Sequence, residues 1–138
     1  MIILDTNVLS ALMRSAPETK VVDWLNAQPR SSIWITSITA LEVRFGLQIM
    51  AVGRKRKALF QAFEALLETI DHRIAAFDAA AAEHAGNLMA RRQKAGRPVE
   101  LRDTMIAGIA LSRRATLATR NVAHFSDCGA GLVNPWGA

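Results

Sequence analysis

The chain has 138 residues, enough for one compact domain with a sizeable core and too few for two ordinary ones. It carries 17 Lys and Arg against 12 Asp and Glu, and the net charge of +5 favours a polyanionic partner such as nucleic acid. A single cysteine, Cys128, excludes an intrachain disulfide and a cysteine-based zinc site, and His72, His84 and His124 show no paired ligand spacing.

Met1-Ile2-Ile3-Leu4-Asp5 reads as a short buried strand that ends in a carboxylate. This apolar run is too short for a signal peptide or a membrane span, so a protein of the reducing cytoplasm is expected. Val8, Leu9, Leu12 and Met13 then recur at helical spacing. Ser15-Ala16-Pro17-Glu18 predicts a second helix, capped by Ser15 with Pro17 in its first turn and ended near Pro29. Ile33-Trp34-Ile35 is a second strand, and Ser37 or Thr39 starts the helix that follows. Gly53 separates that helix from Arg54 to Ile70, the other arm of a helical hairpin, whose stripe of Leu59, Phe60, Phe63, Leu66 and Leu67 is core.

Arg73 to Phe77 predicts a third strand, and Asp78 an N-cap for the alanine-rich helix from Ala79 to about Lys94. That helix stops at Gly96 and Pro98. Leu101 to Arg113 is a further helix, Thr116 to Thr119 a fourth strand, and Leu132-Val133 a fifth. Strands alternating with helices, and apolar almost throughout, predict an α/β domain spanning residues 1–138. Its central sheet is mostly parallel, of four to five strands, with helices on both faces.

In such sheets ligands bind outside the carboxyl ends of the strands. Asp5 ends the first strand, Glu42 lies one helical turn past the start of the helix after the second, and Thr119 and Asn121 end the fourth. Asp103 sits in the first turn of its helix, facing the same edge if the crossovers are right-handed. Taken singly, each carboxylate has a structural explanation. Asp5, Thr6 or Asn7 would cap the first helix, Thr39-Ala40-Leu41-Glu42 matches a capping box, and Asp103 suits a helix N-terminus. Taken together, three carboxylates at one edge repel one another unless a cation neutralises them. Oxygen-only ligands select a hard ion, Mg²⁺ or Mn²⁺. With Asp5 on the ion, the capping role is expected to pass to Thr6 or Asn7.

Leu-Asp-Thr-Asn-Val-Leu-Ser at the start, Ile-Thr-Ala-Leu-Glu-Val-Arg-Phe-Gly around Glu42, the segment from Leu101 to Asn121, and Val-Asn-Pro-Trp near the end carry a family likeness. The chain resembles the PIN-domain ribonucleases, especially the VapC toxins of type II toxin–antitoxin modules and their FitB-like relatives. The resemblance implies Mg²⁺-dependent hydrolysis of RNA phosphodiesters by a metal-activated water. It places Asp5, Glu42 and Asp103 as metal ligands and Asn121 as a fourth catalytic position, where many relatives have Asp. Thr6, Asn7, Thr39 and Thr119 would orient the carboxylates and waters. It further implies a VapB-like antitoxin packed near the helical hairpin, a homodimer, and a higher assembly with antitoxin on operator DNA.

Arg102 and Arg120 adjoin the candidate site and are the expected RNA contacts. Arg54 to Lys57, Arg91, Arg92, Lys94, Arg97, Arg113 and Arg114 are further basic positions for phosphate. With 51% hydrophobic residues, the chain is expected to bury an apolar face against a second copy or another protein. The alternative reading is a catalytically weak PIN-type RNA-binding or regulatory domain, which Asn121 favours. A phosphoacceptor signalling domain fits poorly, because no Lys follows Lys94.

Overall fold

The computed structural model describes residues 1–137. Five strands form one sheet: β1 (Ile2–Leu4), β2 (Ile33–Thr36), β3 (Ile74–Ala75), β4 (Thr116–Ala118) and β5 (Gly131–Val133). All neighbours pair in parallel, in the order β3-β2-β1-β4-β5. The chain therefore builds outward from β1 to β3, then returns to the other side of β1 for β4 and β5. That reversal makes the β1/β4 junction a topological switch point, the place where such sheets open a crevice at their carboxyl ends. Asp5 sits there, its N–H donating to the Ala118 carbonyl at 2.9 Å.

Seven helices cover the sheet: α1 (Thr6–Met13), α2 (Thr19–Asn26), α3 (Ser37–Ile49), α4 (Arg54–Thr69), α5 (Ala79–Lys94), α6 (Leu101–Ser112) and α7 (Val122–Phe125). Successive side chains of a strand point to opposite faces, and both faces are dry. Leu4, Ile33, Ile35 and Ala118 join Val8, Leu9, Val21, Val43, Phe63 and Leu67 in one core cluster. Ile3 and Leu117 join Leu88, Ile106, Ile109 and Phe125 in the other. This two-sided burial is why the strands are apolar without alternation.

The alanines of α5 have a packing reason. A Cβ on Gly108 of α6 would lie 2.5 Å from the Ala81 carbonyl oxygen and 2.8 Å from the Ala85 Cβ. Small residues on both helices permit this close approach, which sets where α6 delivers Asp103. Asp78 caps α5 as expected, its Oδ1 accepting from the Ala81 N–H at 3.0 Å, and Gly96 ends it at φ +66°.

Several boundaries differ from the sequence expectation. Helix α2 begins at Thr19 with Glu18 at the cap position, because Pro17 disfavours helical geometry at Ala16 and Glu18 is itself extended. Helix α3 starts at Ser37, one of the two expected positions, and is capped by Thr36, whose hydroxyl accepts from the Thr39 N–H at 3.0 Å. Strand β3 is shorter than Arg73 to Phe77, since the Phe77 N–H turns away to the Ser37 hydroxyl at 3.0 Å. The 3₁₀ turn Arg30–Ser32 and helix α7 are too short to leave a periodic signal.

Candidate active site

Asp5 occupies the N-cap of α1 and is only 4% exposed. Its Oδ1 accepts from the Thr6 N–H at 2.8 Å, while its Oδ2 accepts from the Thr119 hydroxyl at 2.8 Å and the Asn7 amide at 3.3 Å. The cap thus stays with Asp5 and does not pass to Thr6 or Asn7. One carboxylate has enough lone pairs to cap a helix and still face the crevice. Burial pushes the Asp5 pKa up to about 6, overriding the hydrogen bonds that lower it, and the negative charges of Asp103 and Glu42 push in the same direction.

Glu42 does not close a capping box. Its Oε1 accepts from the Thr6 hydroxyl at 2.9 Å, and that hydroxyl also meets the Thr39 hydroxyl at 3.0 Å. Thr36 donates to the Thr39 hydroxyl at 3.3 Å. Each hydroxyl has one proton, so the order of donation runs from Thr36 through Thr39 and Thr6 to Glu42. A relay of three hydroxyls, from the end of β2 through α3 to α1, therefore ends with Thr6 donating to one carboxylate oxygen. Its other oxygen lies 3.8 Å from an Arg102 guanidinium nitrogen. Arg102 also donates to Glu100 at 2.8 Å and holds the Glu100 carboxyl below its ordinary value.

Asp103 stands in the first turn of α6, its N–H donating to Glu100 at 3.3 Å. Its Oδ2 lies 3.2 Å from His124 Nδ1. Sequence reasoning missed this neighbour, because a spacing of 21 residues resembles no ligand pattern. Asn121 is exposed at the start of α7, and its N–H donates to the Thr119 hydroxyl at 3.0 Å. The Arg120 N–H donates to Asn7 Oδ1 at 3.3 Å. Thr6, Asn7, Thr39 and Thr119 thus all lie in the hydrogen-bond network around Asp5 and Glu42.

Among the described residues, no three His, Cys, Asp or Glu side chains close around one point tightly enough to form a cage. The donor set nevertheless fits a hard divalent ion. It is oxygen-rich, it holds a buried carboxylate with two like charges acting on it, and such ions keep several waters between themselves and the protein. Asp127 belongs elsewhere. Arg92, only 3% exposed, donates to both its oxygens at 2.9 and 2.8 Å, to the Thr104 hydroxyl at 2.9 Å and to the His124 carbonyl at 2.7 Å. Buried Arg92 is thus structural and not an open phosphate contact, whereas Arg97 donates to the Ala123 carbonyl and is exposed.

Two surfaces stand out away from the carboxylates. An open cleft of about 790 Å³ lies between the end of α1 and the start of α4, lined by Met13, Ala16 and Leu59 with Arg14, Arg54 and Lys55 on it. Along α3, Leu41, Phe45 and Ile49 are 56%, 56% and 68% exposed, followed by Val52 at 88%.

This fold and this edge define a PIN-type domain. The PIN domain family model matches residues 2–128, and the chain belongs to that family. It is 37% identical to the plasmid stability protein StbB of Pseudomonas syringae pv. tomato, over 100% of both chains. It is 34% identical to a VapC ribonuclease of Sinorhizobium fredii, over 99% of this chain and 98% of that one. The structure of FitAcB from Neisseria gonorrhoeae superposes with a TM-score of 0.90 at 30% identity, covering 100% of each chain. A toxin–antitoxin complex from Klebsiella pneumoniae gives 0.73 at 28% identity, again over 100% of each. No helix among the described residues is long and apolar enough to cross a membrane.

Proposed function

We propose that this chain is the toxin of a type II toxin–antitoxin module, a single-domain endoribonuclease of the cytoplasm that depends on Mg²⁺ or Mn²⁺. The observation that carries the reading is the buried Asp5 carboxylate at the switch point, its pKa raised to about 6 with Glu42 and Asp103 acting on it. Such a group calls for a counter-charge. Relatives named as a ribonuclease and as a toxin–antitoxin complex support the same reading.

In the proposed mechanism Asp5, Glu42 and Asp103 hold the ion, and Asn121 contributes an amide oxygen or orients a water. A divalent ion there supplies Lewis acidity that lowers the pKa of a water and neutralises charge on the phosphate. Thr119 and Asn7 fix the rotamer of Asp5, while Thr6 and Thr39 fix Glu42. Arg102, 3.8 Å from Glu42, would offer a guanidinium to the RNA backbone beside the carboxylates. The basic cleft between α1 and α4 suits an antitoxin segment, and the apolar stripe of α3 suits a second copy of the chain. The antitoxin carries the complex to operator DNA.

Incubation of total RNA with antitoxin-free protein tests the reading. Cleavage is expected with Mg²⁺ and is expected to be lost with EDTA or in Asp103→Ala. Equal cleavage under all these conditions refutes the assignment. Exposed Asn121, which contributes no charge, favours the competing reading of an RNA-binding domain without turnover. That reading requires RNA binding by wild type with no cleavage in Mg²⁺.

A further inference from the structure

Trp136 lies in the turn after β5 and is half-buried. Its backbone N–H donates to Asn134 Oδ1 at 2.9 Å, and the Gly137 N–H donates to the Asn134 carbonyl at 2.9 Å, so Asn134 fixes the turn from both ends. The indole N–H donates to the carboxylate of Glu18, at the start of α2. Glu18 is itself tied to Arg14 at 2.9 Å. The ring is therefore oriented through its backbone and its edge.

On that ring rests the Arg120 guanidinium, 4.8 Å from the centroid. Arg120 follows Thr119, which bonds Asp5, and precedes Asn121. Near the site other arginine donors are committed: Arg92 to Asp127, Thr104 and a carbonyl, and Arg102 to Glu100. A cation–π stack uses only the face of the guanidinium. Its N–H donors lie in the plane and remain available to a bidentate acceptor such as phosphate.

We propose that Trp136 is a positioning residue that holds Arg120 at the lip of the carboxylate site, where the guanidinium grips a phosphate of single-stranded RNA beside the one cleaved. The proposal rests on the ribonuclease reading above and names the device that sets the strand in place. An exposed arginine otherwise sweeps many rotamers, and the stack removes that freedom before RNA arrives. Glu18 gives the idea a distinctive sign. Removing an acidic residue from a basic protein favours RNA on charge alone, whereas loosening Trp136 disfavours it.

The test measures binding of a fluorescent single-stranded RNA in EDTA, which withholds the metal and stops turnover, across a series of KCl concentrations. Arg120→Ala is expected to weaken binding about two- to fivefold, the range of one exposed ionic contact. It should also reduce the slope of log affinity against log salt by about 0.7. Trp136→Ala should reproduce both effects, and adding Arg120→Ala to it should cost nothing further. Trp136→Phe, which keeps a ring face, should retain most of the affinity. Glu18→Ala, which leaves the aromatic in place should Trp136→Ala fail to fold, should weaken binding despite the lost negative charge. Under turnover in Mg²⁺ the Trp136 variants should raise KM and leave kcat near wild type. Unchanged affinity in Arg120→Ala, additive losses in the double variant, tighter binding by Glu18→Ala, or no RNA binding by wild type would each overturn the proposal. Normal coupling of these residues in binding, with no cleavage in Mg²⁺, would instead refute the ribonuclease reading alone.

Discussion

At the scale of single residues, Asp5 is a buried carboxylate kept at a cost in stability. Its carboxyl is held at about 6 in the folded protein against an ordinary value of 3.8. Between those values the folded state binds more protons than the unfolded one. The contribution of Asp5 to the stability of the metal-free protein is therefore greatest below about pH 4, falls as pH rises through 6, and then levels. The difference is on the order of 3 kcal/mol for the buried group. Asp5→Asn keeps one acceptor oxygen for the Thr6 N–H, gives up the acceptor facing Thr119 and Asn7, and removes the buried charge. In EDTA at pH 7.5 its melting temperature should rise by several degrees in differential scanning fluorimetry, and the gap should close by pH 4. A lower Tm for Asp5→Asn at pH 7.5 would contradict this. Glu42 shows why residue roles were only half legible in sequence. Its spacing from Thr39 matched a capping box, but Thr6, 36 positions away, competes for the carboxylate.

Among the elements, helices α5, α6 and α7 are tied together by Arg92. It reaches α6 through Thr104 and the segment around α7 through His124 and Asp127. Its side chain is 2% exposed, and it holds the Asp127 carboxyl below the ordinary value. Arg92→Ala leaves Asp127 and Thr104 without their donor and should cost about 3–5 kcal/mol in urea unfolding. A loss below 1 kcal/mol would show that the network relaxes without cost. Most elements were legible because hydrophobic period, caps and breakers agree locally, as at Asp78 and Gly96. Arg92 was not, since its basic neighbours in sequence are solvated and its partners arrive from 12 to 35 residues away. The start of α2 was misplaced because Ser15 offers a cap that Pro17 then overrides.

Over the whole molecule, the order β3-β2-β1-β4-β5 turns distant segments into one site. Alternating strands and helices made the parallel sheet legible, and with it the shared edge for Asp5, Glu42 and Asp103. The sequence could not reveal that each carboxylate meets its own local partners and that no cage closes among the described residues. Such distances depend on rotamers, which no spacing encodes. High apolar content appears on the surface as Leu41, Phe45, Ile49 and Val52. An apolar stripe of this kind is covered by protein in the proposed homodimer. Phe45→Glu should convert a dimer to a monomer in light scattering after gel filtration, with the fold intact by circular dichroism. A monomeric wild type, or a dimeric variant, would remove α3 from the interface.

The central claim is that buried Asp5, with Glu42 and Asp103, holds a divalent ion. It is tested most directly by titrating metal-free protein with Mn²⁺ at pH 7.5 and counting bound ions by electron paramagnetic resonance. Wild type should bind Mn²⁺ saturably, less tightly at pH 5 where Asp5 is protonated, and Asp5→Ala should lose that binding together with RNA cleavage. Equal Mn²⁺ binding by the two proteins, or RNA cleavage by wild type undiminished in EDTA, would contradict the account.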